Sequence, residues 1–104
     1  MNRRKLPERR HAETIEFQHA TGASALKYIG TVGRFATGEL AEIFLNCRKS
    51  DTLADINARD GAIAASLALQ YGCPLETLSH AMARKPDGEA MGPLGHLLDL
   101  AQGT

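Results

Sequence analysis

Four histidines, two cysteines and a few charged side chains set among apolar ones are the residues best equipped for chemistry in this 104-residue sequence. His11, His19, His80 and His96 stand at no metal-ligand spacing with one another or with Cys47 and Cys73, so no metal site is expected. His19 falls at a strand end, and His80 and His96 fall on helix surfaces. Cys47 and Cys73, with no export signal before them, read as free thiols rather than a disulfide. Arg48 and Lys49 would favour the Cys47 thiolate, and a fold that brought the two cysteines together would permit a thiol pair, but both fit better as small buried apolar residues.

Arg34, Glu42, Arg59 and Asp60 occupy positions where the patterning would prefer apolar side chains. Arg34 shares a hairpin face with Val32 and Ile43, and Asp60 lies on a helix stripe between Ile56 and Ile63. A buried carboxylate needs a cationic partner, which predicts an internal ion pair between Asp60 and Arg34 or another arginine. Arg34, Glu42, Lys49 and Asp60 together are also the candidate contacts for a partner, a nucleotide or a small anion. No G-x-G-x-x-G, phosphate-binding loop or nucleophile elbow occurs, so no catalytic residue is assigned and no cofactor is expected.

Charge is neutral in total, with twelve Lys and Arg against twelve Asp and Glu, but it is unevenly placed. Arg3, Arg4, Lys5, Arg9 and Arg10 against Glu8 give the first ten residues a local charge of plus four, and the rest of the chain carries minus four. We therefore divide the chain into a flexible basic arm over 1–12 and a single domain over 13–104. The arm suits contact with a polyanion, nucleic acid included, through phosphates rather than bases; otherwise it is a solvated terminus. A chain of this length supports one modest core and excludes a multi-domain enzyme. No run of eighteen apolar residues occurs and no apolar stretch follows the Arg-rich start, which leads us to expect neither a membrane span nor a secretory signal, and a cytoplasmic protein.

The positioning elements follow from periodicity. Ile15 and Phe17 alternate with polar neighbours, predicting a strand over 14–19, and residues 20–25, with Gly22 and Ser24, read as a loop. The runs 27–35 and 40–47 flank Ala36-Thr37-Gly38-Glu39 and predict a β-hairpin. Counting outward from Thr37 and Gly38 pairs Phe35 with Leu40, Val32 with Ile43 and Thr31 with Phe44. One face then carries Tyr28, Val32, Ala41, Ile43 and Leu45, and the other Ile29, Phe35, Leu40 and Phe44. Both faces want cover, the second from the terminal helix or from another subunit.

Thr52 followed by Asp55 approximates a capping box and starts a helix predicted over 53–71, ended by Gly72 and Pro74. Its Leu53, Ile56, Ile63 and Leu67 form one stripe, and an Ala-rich face over 62–68 allows close approach to a sheet. A second helix after Pro74 turns Leu75, Leu78 and Met82 inward, and a last one after Pro93 does so with Leu94, Leu97, Leu98 and Ala101. The fold class is α+β: a three-stranded antiparallel sheet packed by a long helix and two short C-terminal helices.

The stretches Thr31-Val32-Gly33-Arg34-Phe35, Thr37-Gly38, Ala41-Glu42-Ile43-Phe44-Leu45-Asn46, Lys49-Ser50, Ser66-Leu67-Ala68-Leu69-Gln70-Tyr71-Gly72 and Pro74-Leu75-Glu76 resemble, in that order, the TSCPD domain. That domain resembles the C-terminal region of adenosylcobalamin-dependent ribonucleotide reductases and also occurs as short bacterial and phage proteins, which the C-terminal Gly92-Pro93-Leu94-Gly95 is similar to. The Thr-Ser-Cys-Pro-Asp that names the domain is missing here, and Cys73-Pro74 stands in a different context. Reduction in that family needs a large barrel, a thiyl-forming cysteine, a reducing cysteine pair and a cobalamin site, which this sequence lacks. The resemblance therefore implies an accessory domain linked to deoxynucleotide metabolism, without catalysis of its own, whose partner is a reductase or a second copy of itself. A nucleic-acid-binding regulator using the arm, and a nucleotide or small-anion binder using Arg34, Lys49 and Asp60, are the alternatives.

Overall fold

The computed structural model describes residues 2–21 and 24–102. Three strands come first, β1 (Ala12–Thr21), β2 (Ser24–Arg34) and β3 (Leu40–Cys47), and three helices follow, α1 (Leu53–Gln70), α2 (Leu75–Ala81) and α3 (Pro93–Gln102). The strands make one antiparallel sheet in the order β1-β2-β3, so the α+β class expected from the sequence is the one observed.

The first two strands run longer than their alternation suggests. Pairing continues through Ala20↔Ala25 and Thr21↔Ser24, which removes most of the loop expected over 20–25; Gly22 of that loop lies outside the described residues. His19, at the end of the expected strand, is buried on the same face as Ile15 and Phe17 and pairs across to Leu26.

The β2–β3 turn corrects one pair of the expected register. Gly38 N–H donates to Phe35 O at 2.9 Å and Phe35 N–H to Glu39 O at 2.8 Å, with Gly38 at φ 93°, where a side chain would be strained. Arg34 therefore pairs with Leu40, and Phe35 does not. A bulge then shifts the ladder at Gly33/Arg34 and restores Val32↔Ile43 and Thr31↔Phe44. The extra residue is Ala41. The bulge also turns Leu40 into the core with Val32 and Ile43, rather than onto the opposite face.

The core lies on the face of Tyr28, Val32, Ile43, Leu45 and Cys47. Ala58, Ala62, Ala65 and Leu69 of α1 and Leu97 and Leu98 of α3 close over it. Leu97 reaches the sheet because Gly30 has no side chain: a Cβ there would stand 2.5 Å from a Leu97 methyl. The terminal helix thus packs on the first face, and the second keeps Phe44 exposed.

α1 does more than cover the sheet; it closes the β3 edge. Gln70 Nε2 donates to Ala41 O at 3.0 Å. Ser66 Oγ accepts from Ile43 N at 2.8 Å and donates to Ile43 O at 3.0 Å. Asp55 Oδ1 accepts from Cys47 N at 2.9 Å. These side chains satisfy backbone groups that a fourth strand would otherwise take. Thr52 caps the helix as expected, its hydroxyl accepting from Asp55 N, and Gly72 at φ 103° ends it.

Candidate interaction surface

The side of α1 turned away from the sheet carries its larger apolar residues. Leu53 is 72% exposed, Ile56 46%, Ile63 59% and Leu67 41%, while the apolar residues buried on the inward side are Ala58, Ala62, Ala65 and Leu69. The stripe read from the sequence is real, but it faces solvent, because alanine lets the helix axis approach β3 closely enough for Asp55, Ser66 and Gln70 to reach its backbone. Such a large exposed aliphatic row marks an interaction surface more than a folding element.

A second open surface is the uncovered face of the sheet. Phe44 is 54% exposed and stands opposite Thr31, with half-buried Ile29 and exposed Asn46 and Thr14 around it. Ion pairs border it: Arg48 meets Glu16 at 3.1 Å, and Arg10 meets Glu42 through both guanidinium and carboxylate forks.

The four candidate contacts from the sequence do not assemble. Arg34 donates to Gly38 O at 3.0 Å and lies 3.5 Å from Glu13. Glu42 is held by Arg10, and Lys49 and Asp60 are exposed. Two clefts lined by Arg34 contain none of the other three. The expected Asp60–Arg34 pair is absent among the described residues; the buried carboxylate of α1 is Asp55, one turn into the helix, with Arg59 3.8 Å away. Sequence patterning missed Asp55, Ser66 and Gln70 as a set. Their only signal was three polar residues bordering the alanine face, and Asp55 had an adequate role in the cap.

The basic run over 1–10 lies partly against the body. Arg4 N–H donates to Gln70 O at 2.7 Å, its guanidinium stacks 3.8 Å from the Phe35 ring centre, and Arg3 Nε donates to Gln70 Oε1 at 2.6 Å. With Arg10 bound to Glu42, three of the five cations have partners on the body, and Lys5 and Arg9 are exposed. A cation held by a carboxylate or an aromatic face has less to offer a phosphate.

Two histidines expected apart are joined. His19 Nε2 donates to Met91 O at 2.8 Å, since a carbonyl can only accept. In the neutral pair this leaves His19 Nδ1 to accept from His96 Nδ1 at 3.0 Å. His96 packs edge-on to Phe17, so it faces the sheet rather than solvent. Burial, reinforced by His19, lowers the His96 pKa against the pull of Asp99 and Glu89. Nearby, Arg84 forks onto Asp99 at 2.8 and 2.9 Å and also holds the Ser79 carbonyl and hydroxyl. Hydrogen bonding to Arg84 lowers the Asp99 pKa.

Cys47 and Cys73 are free and stand at opposite ends of α1. Cys47 N bonds Asp55 and Cys73 N bonds Ala68 O, anchors thirteen residues apart, or roughly 20 Å along the helix. A thiol pair between them is excluded. No group of three or more His, Cys, Asp or Glu among the described residues is placed to hold a metal ion. No helix among them is long and apolar enough to cross a membrane.

Over 74 residues, 71% of its length, the chain is 42% identical to a vitamin B12-dependent ribonucleotide reductase from Agrobacterium fabrum. It is 38% identical, also over 74 residues, to another from Bradyrhizobium diazoefficiens. The matched stretch is 6% of each of those proteins. No family model and no solved structure matches the chain, so the narrower TSCPD reading rests on the residue pattern.

Proposed function

Because the chain is related over 74 residues to a segment of the vitamin B12-dependent ribonucleotide reductases, we propose that it is a non-catalytic accessory module of deoxynucleotide metabolism that docks on a reductase. The observation that carries this reading is the open sheet face around Phe44. A large aromatic, half-buried Ile29 and a polar rim of Glu16, Arg48 and Glu42 make an apolar centre bordered by charge, the anatomy of a protein contact. One observation favours a role without catalysis: the two cysteines are too far apart to act as a reducing pair.

The test is direct binding between the purified chain and a purified vitamin B12-dependent ribonucleotide reductase. Association is expected, and Phe44→Lys should weaken it at least about tenfold while leaving the circular dichroism spectrum unchanged. No association, or an affinity indifferent to Phe44→Lys, would discard the reading.

A further inference from the structure

The sheet has one closed edge and one open edge, and the open one is β1. We propose that β1 pairs with β1 of a second copy, antiparallel about a two-fold axis at Phe17, joining two three-stranded sheets into one. The proposal goes beyond the accessory role and does not depend on it.

The backbone shows which groups the edge offers. Lys27 O accepts from Arg48 N at 2.8 Å, so the odd-numbered residues of β2 turn their N–H and C=O toward β3 and the even-numbered ones toward β1. The pairs Tyr28↔Phe17, Gly30↔Ile15 and Val32↔Glu13 then bring the odd residues of β1 into that ladder. The N–H and C=O of Ala12, Thr14, Glu16, Gln18 and Ala20 therefore point off the sheet. Among the described residues no backbone group of another element meets them. A row of alternating donors and acceptors at strand spacing is satisfied by another strand.

Three observations make that strand a second β1. First, Asp55, Ser66 and Gln70 already occupy the β3 edge. Each copy thus offers one free edge, and pairing about a two-fold axis closes at two chains. Second, β1 lacks the usual guards against pairing. It contains no proline and no lysine, and its register with β2 runs without a bulge. Its two carboxylates are drawn back over their own sheet, Glu13 toward Arg34 at 3.5 Å and Glu16 to Arg48 at 3.1 Å. The basic run leaves the edge open as well, since Arg4 and Arg10 are bound on the β3 side, to Gln70 and Glu42.

The third observation is that the strand complements itself in one register. Centring the pair on Glu16 would set two carboxylates face to face, and centring it on Ile15 would set Glu13 against Phe17. Centred on Phe17, Glu16 lies opposite Gln18 and Thr14 opposite Ala20, each twice by symmetry. Those four pairs are the hydrogen-bonded ones and supply about eight backbone bonds. The two Glu16 side chains stand on the diagonal, each held by its own Arg48. On the inner face Phe17 meets Phe17, and Ile15 meets His19 of the second copy. Ile15 and Phe17 are only half-buried in the single chain, and these cross-strand neighbours cover them.

The test is the solution mass of the chain over a dilution series, by light scattering and sedimentation, with amide hydrogen exchange on the same samples. Twice the 11.2 kDa chain mass is expected, with the Thr14, Glu16 and Gln18 amides protected in the dimer and exposed on dilution. Gln18→Pro should give a monomer with an unchanged circular dichroism spectrum, because the lost N–H points off the sheet and the β1–β2 ladder does not use it. Gln18→Lys places a cation opposite Glu16 of the second copy and should tighten self-association about threefold; Gln18→Glu should weaken it about as much. Ile63→Glu, on the outer side of α1, should leave the dimer intact. A wild-type chain that stays monomeric throughout overturns the proposal, as does a dimer that survives Gln18→Pro, one whose edge amides exchange freely, or one that Ile63→Glu dissociates. Equal affinities for the Lys and Glu variants overturn the register centred on Phe17.

Discussion

Asp55 accepts the backbone N–H of Cys47 at 2.9 Å and so ties the first turn of α1 to the last residue of β3. The same carboxylate belongs to the residue whose own N–H is capped by Thr52. One buried side chain therefore joins the helix start, its cap and the sheet edge. Replacing it by alanine leaves the Cys47 N–H buried without a partner, which costs about 1–3 kcal/mol. Asp55→Ala should lower the stability measured by urea unfolding by that amount, and Asp55→Asn, which keeps an acceptor oxygen, should lose less. Equal losses in the two variants would show that the acceptor is not what matters.

Gly30 sets how deeply α3 sits. A Cβ at this position would stand 2.5 and 2.7 Å from the two Leu97 methyls, and Leu97 is fully buried, so its methyls have little room to give way. Gly30→Ala should destabilise the protein by about 1–3 kcal/mol. Leu97→Ala should also destabilise it, through the cavity it leaves, by about 2–5 kcal/mol. The double variant should be more stable than the two losses added together predict, because the new methyl enters the space the leucine left. Strict additivity in chemical denaturation would separate the two residues energetically.

Arg84 and Asp99 hold the loop before α3 to that helix. Hydrogen bonding to Arg84 keeps the Asp99 pKa below its ordinary value, so the folded state binds a proton there less readily than the unfolded chain. The resulting stability is present above about pH 3.9 and is lost as pH falls through the lower folded value. The carboxylate is substantially exposed, which keeps the effect modest. Arg84→Met should flatten the acid limb of a plot of Tm against pH. An acid limb of unchanged slope would mean that other carboxylates set it.

Much of this arrangement was legible in the residues themselves, and the misreadings share a cause. The hairpin, the Thr52 cap, the Gly72 stop and the α3 leucines are local signals, and each appears where local chemistry puts it. The Val32↔Ile43 register was also legible, although a bulge at Ala41 compensates for a turn one residue tighter than counted. The Ala-rich face expected to approach the sheet does so, held by three polar residues that reach the β3 backbone. What differs is the Leu53, Ile56, Ile63 and Leu67 stripe, whose Asp60 is expected to be buried and which faces solvent instead. Periodicity reports that a face exists and does not report which surface it meets. For the same reason the Asp60 carboxylate was read as buried and Asp55 was read only as a cap. The His19–His96 contact joins residues 77 positions apart, a distance over which no spacing rule operates.

That contact predicts how stability depends on pH near neutrality. The groups facing His96 are His19 on β1, Asp99 on its own helix and Glu89 before it; burial and His19 outweigh the two carboxylates, and its pKa is lowered. The folded protein therefore resists protonation at a site that the unfolded chain protonates near pH 6.5. Above that value both states are neutral and the group contributes no slope. As pH falls below it, the unfolded state binds the proton first and stability decreases, until the folded value is reached. Protonated His96 could still donate to His19, but the charge would then sit half-buried against Phe17. His96→Asn keeps an N–H near the position of Nδ1 and removes the titration. Thermal unfolding at pH 7.5 and 5.5 should give a fall in Tm for the wild-type chain and a smaller one for the variant, and the His96 ring protons should titrate below the normal imidazole range by NMR. A wild-type ring that titrates at or above that range would remove the basis of the prediction, and equal falls in Tm would assign the slope to other groups.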